Sequence, residues 1–321
     1  MAGRRRGSSP TSYAGIDPEV SAANGVVAVV VTFNRRELLL ECLAAIASQT
    51  RPVDEIVVVD NASSDGTGAA LAEHYPSVTL HQLPANLGGA GGFAFGVAAA
   101  RPRASALWLM DDDAAPLPDA LEKLLAARDR YPGATPAIVA SRVVGLDGEP
   151  IPMNLPRERP FVSDRERADA ATAGCLPIRS ASFVSVLVDG LAARRNDLPV
   201  ADYFIWNDDF EYTARVLRSS VGLMCPDSVT RHAAKPTGDP GPRMHFEVRN
   251  KLWLFTRSSA LSPRERLVYG GATLRRWITW LLHSPHRALL LRGLLTGAIE
   301  ALRRGPRDTA EVLASASVSS K

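Results

Sequence analysis

The chain has 321 residues, of which 46% are hydrophobic and 22% charged, enough to bury a core as one large domain or two unequal ones. Its net charge of +3 is small for that length and argues against nucleic acid as the main partner, although arginine is dense after residue 240 and at the extreme N-terminus. Three widely spaced cysteines, Cys42, Cys175 and Cys225, include no CxxC pair, so neither a disulfide framework nor a zinc site is suggested, and a reducing, cytoplasmic compartment fits.

The basic opening Met-Ala-Gly-Arg-Arg-Arg-Gly is not followed by an apolar run, so it does not read as a secretory signal. Residues 1–23 are expected to form a disordered basic arm. Val26 to Val31 is a nearly pure β-branched run. It breaks at Thr32, Phe33, Asn34 and Arg35, and Leu39, Leu40, Leu43 and Ile46 then recur at helical spacing. The strand, loop, helix pattern repeats at Ile56–Asp60, Asn61–Gly66 and Thr67–Tyr75, and a third strand is expected at Val78–Leu83. Alternation at this spacing predicts a mostly parallel α/β sheet, in which ligands sit beyond the carboxyl ends of the strands.

Asn86-Leu-Gly-Gly-Ala-Gly-Gly-Phe93 precedes an alanine-rich helix running to Arg101. Glycines let backbone approach a ligand closely, and the helix start offers free N–H groups to an anion. The alternative is a tight connection between packed elements. The segment is neither a GxGxxG after the first strand nor a P-loop with its lysine, so Rossmann and Walker sites are disfavoured.

Ala106 to Met110 reads as a strand buried on both faces that stops on three carboxylates, Asp111, Asp112 and Asp113. Three like charges within about 10 Å of backbone raise one another's pKa unless a cation neutralises them. A hard divalent ion with oxygen ligands, Mg2+ or Mn2+, answers that need. The structural alternative is an acidic turn capping the next helix, expected over Leu117–Tyr131. Ala137–Val144 reads as a strand, Gly145–Gly174 as a polar, proline-rich stretch that either covers the site or runs exposed, and Ser182–Val188 as another strand.

In Asp202-Tyr-Phe-Ile-Trp-Asn-Asp-Asp-Phe-Glu211, aromatics precede Asp208 and Asp209 at a helix start. The acids either complement the helix dipole or include a general base tuned by apolar walls. Val221–Pro226 reads as a final strand, and His232, following it, is a candidate metal ligand. From Phe246 the sequence is rich in leucine and arginine, with Trp277 and Trp280, and no span of about 20 residues is free of charge or proline. Residues 246–304 therefore suit either amphipathic helices at a membrane interface or helices packed on the catalytic body. The tail, 305–321, is expected to be disordered.

Val-Val-Thr-Phe-Asn-Arg, Ile-Val-Val-Val-Asp-Asn-Ala-Ser-Ser-Asp-Gly-Thr, the triple aspartate and the Asp-Asp pair, in this order over residues 26–235, resemble the inverting family-2 glycosyltransferases of the GT-A fold. The glycine-rich segment, Phe-Ile-Trp-Asn-Asp-Asp-Phe-Glu-Tyr and His232 are similar to the actinobacterial, galactan-initiating galactofuranosyltransferases and the related rhamnosyltransferases. The resemblance implies a GT-A catalytic domain over 24–245. Thr32, Phe33, Asn34 and Arg35 would line the nucleotide pocket, Asp60 would meet the uracil N–H, and Asn86, Gly88 and Gly89 the nucleotide or ribose. Asp111 and Asp113, with His232, would hold the metal on the diphosphate, with Asp112 beside it. Asp209 would be the base, Asp208 a donor-sugar or acceptor contact and Trp206 an acceptor platform, although relatives often carry Glu-Asp or Asp-Glu at the acidic pair. It further implies UDP-galactofuranose as donor, a lipid-linked glycan acceptor and a peripheral place on the inner face of the cell membrane. A dTDP-rhamnose donor is the alternative within the class, because uracil and thymine present the same N3–H. Outside the class stand a noncatalytic sugar-nucleotide-binding scaffold, disfavoured by the two acid clusters, and a nucleotidyltransferase, which would want a glycine-rich basic loop after the first strand.

Overall fold

A computed structural model describes residues 25–233 and 239–318. The arm expected over 1–23 lies outside the described residues, as do the last three residues of the tail.

The first third alternates strictly: β1 (Val26–Thr32), α1 (Arg36–Ala47), β2 (Glu55–Asp60), α2 (Thr67–His74), β3 (Thr79–Gln82), α3 (Gly88–Ala100), β4 (Ala106–Asp111). β1 pairs in parallel with β2 on one side and β4 on the other, and β2 with β3. All seven residues of β1 are buried, which is why its sequence shows no alternation. Val26, Ala28 and Val30 face Leu39, Leu43 and Ile46 of α1, whereas Val27, Val29 and Val31 face Phe93 and Val97 of α3. Helices thus cover both faces of the sheet.

The second half is mixed. Short β5 (Ala114–Pro116) leads through α4 (Ala120–Arg130) to β6 (Ile138–Val144), β7 (Arg157–Glu158), α5 (Asp164–Thr172), β8 (Leu176–Ser180), β9 (Val186–Asp189), α6 (Gly190–Arg195), α7 (Asp208–Val216) and β10 (Gly222–His232). The sheet order is β3-β2-β1-β4-β9-β6-β10-β8-β7. β9 runs antiparallel between β4 and β6, and β5 lies antiparallel on β10. β10 is longer than expected: it passes a register shift between Cys225 and Val229, where Pro226 can forgo its N–H, and ends on His232. The histidine is the last residue of the strand, not a residue beyond it.

Four helices follow: α8 (Met244–Thr256), α9 (Pro263–His283), α10 (Arg287–Arg303) and α11 (Thr309–Val318). Residues 305–318, expected to lack structure, are instead tied down by Arg307 on Asp202 and by Thr309, which donates to Pro199 O and accepts from Ala201 N–H. α8 is buried in the body, so the boundary expected at residue 245 falls at the start of a core helix. α10 crosses α8 closely at Gly293 and Gly297; a Cβ at Gly297 would lie 2.4 Å from His245 O. α9 buries only Thr273, and Leu267, Leu274, Ile278 and Leu282 are exposed on it, as are Leu291, Leu295 and Leu302 on α10. No helix among the described residues is long and apolar enough to cross a membrane.

Candidate functional site

Parallel register decides where the first loops go. Thr32 lies opposite Asp60 and Val31 opposite Asp111, so β1, β2 and β4 end on one rim, as the rule for open α/β sheets requires. Thr32 Oγ1 donates to Asp112 Oδ2 at 2.7 Å, and Arg35 donates to Asp112 Oδ1 at 3.2 Å and to Asp113 Oδ2 at 2.8 Å. Asn34, in the left-handed region at φ 51°, staples this loop to the next: its Oδ1 accepts Ser64 N–H at 2.7 Å and its own N–H donates to Ser63 Oγ. Asp60 is fully buried; Oδ1 accepts Ser63 N–H at 2.9 Å, whereas Oδ2 carries a long 3.4 Å contact from the exposed Gln82. Phe33 is exposed at the mouth.

The pairing of β5 with β10 sets Ala114 opposite His232, and Ala233 N–H donates to Asp113 O at 3.0 Å. His232 Nε2 thereby meets Asp113 Oδ1 at 2.9 Å, while Nδ1 meets Asn154 Oδ1 at 3.1 Å. Ligand atoms of Asp111, Asp113 and His232 lie within 4.8 Å of one another, a donor set that can hold a divalent cation. The acids do not cap α4, whose N-cap is Asp119.

Desolvation, then the charge of Asp113, push Asp111 up to about 7, and only His232 offsets them. Desolvation also raises Asp112, against the Thr32 hydrogen bond and the Arg35 charge. Asp113 is lowered despite its desolvation, because His232 and Arg35 stabilise its charge. Burial works against a charged His232, but the hydrogen bond and charge of Asp113 outweigh it and raise the imidazole. A cluster in which burial and then a neighbouring charge hold one acid up to near-neutral values has the electrostatics of a cation site.

Asp208 and Asp209 open α7. Burial and the charge of Asp209 raise Asp208 well above the carboxylate range, with Asp111 contributing. Asp209 is raised by desolvation but held back by Phe210 N–H and by the charges of Lys251 and Arg157. Asp209 in turn adds slightly to the upward push on Asp111, so the charges of the β4 and α7 acids are near enough to be felt by one another. Ahead of them Phe204, Trp206 and Asn207 have φ of 63°, 67° and 66°. Such conformations cost on the order of 1–3 kcal/mol each and persist where surroundings over-determine them. Trp206 is half-buried, with the Arg243 guanidinium 5.7 Å from its ring centroid.

The glycine-rich segment is not a loop: its glycines form the first turns of α3. A Cβ would strike Phe204 O from Gly88 at 2.0 Å and Val31 from Gly92 at 2.4 Å, whereas Gly89 faces open space. The packing role holds for Gly88 and Gly92, and Gly89 alone of these leaves room for a ligand. Asn86 Oδ1 accepts Gly88 N–H at 2.7 Å and lines a cavity of about 290 Å3 with Phe204, Phe246, Arg249 and Arg304.

Sequence reasoning missed Asn154, the partner of His232, and the buried face of α8. Nothing local marks Asn154, which sits in the irregular 145–174 stretch. The run Arg249-Asn250-Lys251 is polar without a break, yet all three residues are buried.

The family model for glycosyl transferase family 2 matches residues 27–184. The galactofuranosyltransferase GlfT1 of Mycolicibacterium smegmatis is 30% identical over 289 residues, 79% of this chain and 94% of that protein. Among solved structures, Staphylococcus aureus TarS 1–349 in complex with UDP superimposes with a TM-score of 0.58 at 16% identity, covering 81% of this chain and 72% of that one. The mannosyltransferase PcManGT of Pyrobaculum calidifontis, in complex with GDP-Man and Mn2+, gives 0.51 at 20% identity over 96% and 83% of the two chains.

Proposed function

The chain belongs to glycosyltransferase family 2, and from that membership we propose that it transfers galactofuranose from UDP-galactofuranose, with inversion, to a polyprenyl-diphosphate-linked glycan acceptor in galactan assembly. The observation that carries the reading is the Asp111–Asp113–His232 donor set at the rim where β1, β2 and β4 end, with the charges of Asp208 and Asp209 close enough to bear on Asp111 or to be felt from it. The donor sugar GlfT1's name specifies supports galactofuranose, and the UDP bound by TarS supports the nucleotide.

Asp111, Asp113 and His232 would hold the divalent ion, Mn2+ or Mg2+; the Mn2+ in PcManGT supports the first. When bound, the ion neutralises the charge that develops on the departing diphosphate. Asp112 is occupied with Thr32 and Arg35 and fixes the turn that presents its neighbours. Phe33, Asn34 and Asp60 border the nucleotide space, and the base N–H reaches Asp60 Oδ2 once Gln82 swings away.

The acceptor hydroxyl needs a carboxylate to take its proton as its oxygen bonds to the anomeric carbon and the diphosphate leaves. Paired acids whose surroundings push their pKa values apart divide into proton donor and acceptor. Burial and the charge of Asp209 favour the protonated form of Asp208, which suits it to donate a hydrogen bond to sugar. Asp209, kept closer to ionised by Lys251, Arg157 and Phe210 N–H, is the base. One base opposite one leaving group gives direct displacement and inverted configuration, and the base contributes on the order of 100- to 10,000-fold.

Exposed leucines of α9 and α10 beside their arginines support peripheral attachment to an anionic membrane. Replacing Leu267, Leu274 and Leu282 by Ser should weaken co-sedimentation with anionic vesicles; undiminished binding would make α9 a packing element only. The substrate assignment is tested with purified protein, radiolabelled donors and a lipid-linked acceptor. Turnover of UDP-galactofuranose is expected, and turnover of dTDP-rhamnose instead would overturn the donor.

A further inference from the structure

Asp208 and Asp209 owe their direction to the loop before them, and that loop takes a shape its own sequence does not favour. Phe204, Trp206 and Asn207 lie in the left-handed region without being glycines, so external contacts must hold them. Those contacts come from α8. The fully buried Asn250 directs Nδ2 at three carbonyls of this one loop, Tyr203 O at 3.0 Å, Ile205 O at 2.9 Å and Trp206 O at 2.9 Å. Arg249 donates to Asp202 O at 2.9 Å and Tyr203 O at 3.0 Å. Glu247 accepts from Asn207 Nδ2 at 2.9 Å and is itself held by Arg276 at 2.6 Å and Trp277 at 3.2 Å. On the opposite side Ala90 N–H caps Phe204 O at 3.2 Å, where Gly88 leaves room for nothing larger than hydrogen.

We infer that Asn250, assisted by Glu247 through Asn207, is a positioning residue for the transfer reaction: the buried polar face of α8 clamps the strained 204–207 loop and so aims the acidic pair at the reacting centre. The inference rests on the reading of Asp209 as the base. A buried amide that serves three carbonyls of consecutive turns fixes their relative orientation, which no apolar side chain of the same volume can do. The Asp111–Asp113–His232 group stands on other elements, β4, the turn from β4 to β5, and β10.

The test uses the full chain with two substitutions. In Asn250→Ala, kcat should fall on the order of 10- to 100-fold, the effect of displacing a reacting group by about 1 Å. The Mn2+ affinity should stay within about twofold, because the ligands of the ion stand outside the loop. Asn207→Gly removes the tie to Glu247 while suiting the left-handed backbone. It should lower kcat severalfold with no drop in Tm, a combination that loss of a merely structural contact does not give. The proposal is overturned if either folded variant keeps kcat within twofold of the parent, or if Mn2+ affinity is lost in proportion to kcat. Should Asn250→Ala prove insoluble, Asn207→Gly decides alone. Asp209→Asn, run alongside, separates the two ideas: parental turnover there removes the base assignment, whereas a dead Asp209→Asn with active Asn250→Ala removes only the clamp.

Discussion

Replacing Asn154 by Ala isolates the support of the proposed metal site from its ligands. Asn154 is buried, its N–H rests on Ile151 O at 3.0 Å, and its Oδ1 receives His232 Nδ1 at 3.1 Å. With Nδ1 so engaged, the ring presents Nε2 toward Asp111 and Asp113. Without Asn154 the tautomer and the ring angle are free, the kind of loss that typically weakens metal affinity about 10- to 100-fold. That range corresponds to roughly 1.4–2.7 kcal/mol at 25 °C. The hydrogen bond itself contributes only about 0.5–1.5 kcal/mol net to folding. The variant should therefore fold, with a Tm lower by a few degrees at most, and still lose Mn2+ affinity. Calorimetric titration of Mn2+ into both proteins measures the difference. A dissociation constant within twofold of the parent, in a folded variant, would refute the reasoning that His232 binds the ion in an orientation set by Asn154.

Other outcomes follow from the same geometry. Asp111 and His232 are both raised, so both hold a proton more tightly than the free side chains do, and a metal must compete with it. Mn2+ affinity should rise with pH through about 7, and a titration flat from pH 6 to 8 would contradict this. For the same two groups the folded state binds protons more tightly than the unfolded one, so their contribution to stability is lost as pH rises toward and through the folded values. Ion-free Tm should fall over that window, and Mn2+ should restore it. Gly297→Ala places a Cβ 2.4 Å from His245 O and should cost about 1–3 kcal/mol by pushing α10 off α8, seen as a lower denaturant midpoint at unchanged slope. An unchanged midpoint would mean that the two helices part freely.

What the sequence disclosed and what it hid divide along physical lines. β1, β2 and β4 carry their own signal, continuous apolar runs ending in polar residues, and parallel pairing alone then sets Thr32, Asp60 and Asp111 on one rim. The glycine-rich segment misled because glycine costs roughly 1 kcal/mol per residue in a helix. Here close packing of α3 on Val29 and Val31 outweighs that propensity. Asn154 and Asn250 were illegible for another reason. Each matters through a partner 78 or at least 44 positions away, and no periodicity encodes such a pairing. Arg249, Asn250 and Lys251 invert the usual sense of a polar run, because their partners are backbone carbonyls of the loop they hold, the Glu300 carboxylate of α10 and the Phe210 ring of α7. The tail misled similarly, since Arg307 is ordered by the buried Asp202 and not by anything beside it in the chain.

The central chemical step is Asp209 taking the acceptor's proton beside an independently held donor. Donor affinity in the presence of Mn2+ and the single-turnover rate of transfer, both measured on Asp209→Asn, test this most directly. Affinity within about twofold of the parent, with transfer slower by on the order of 100-fold or more, is the predicted result. Transfer at the parental rate, or loss of donor binding together with transfer, would contradict it.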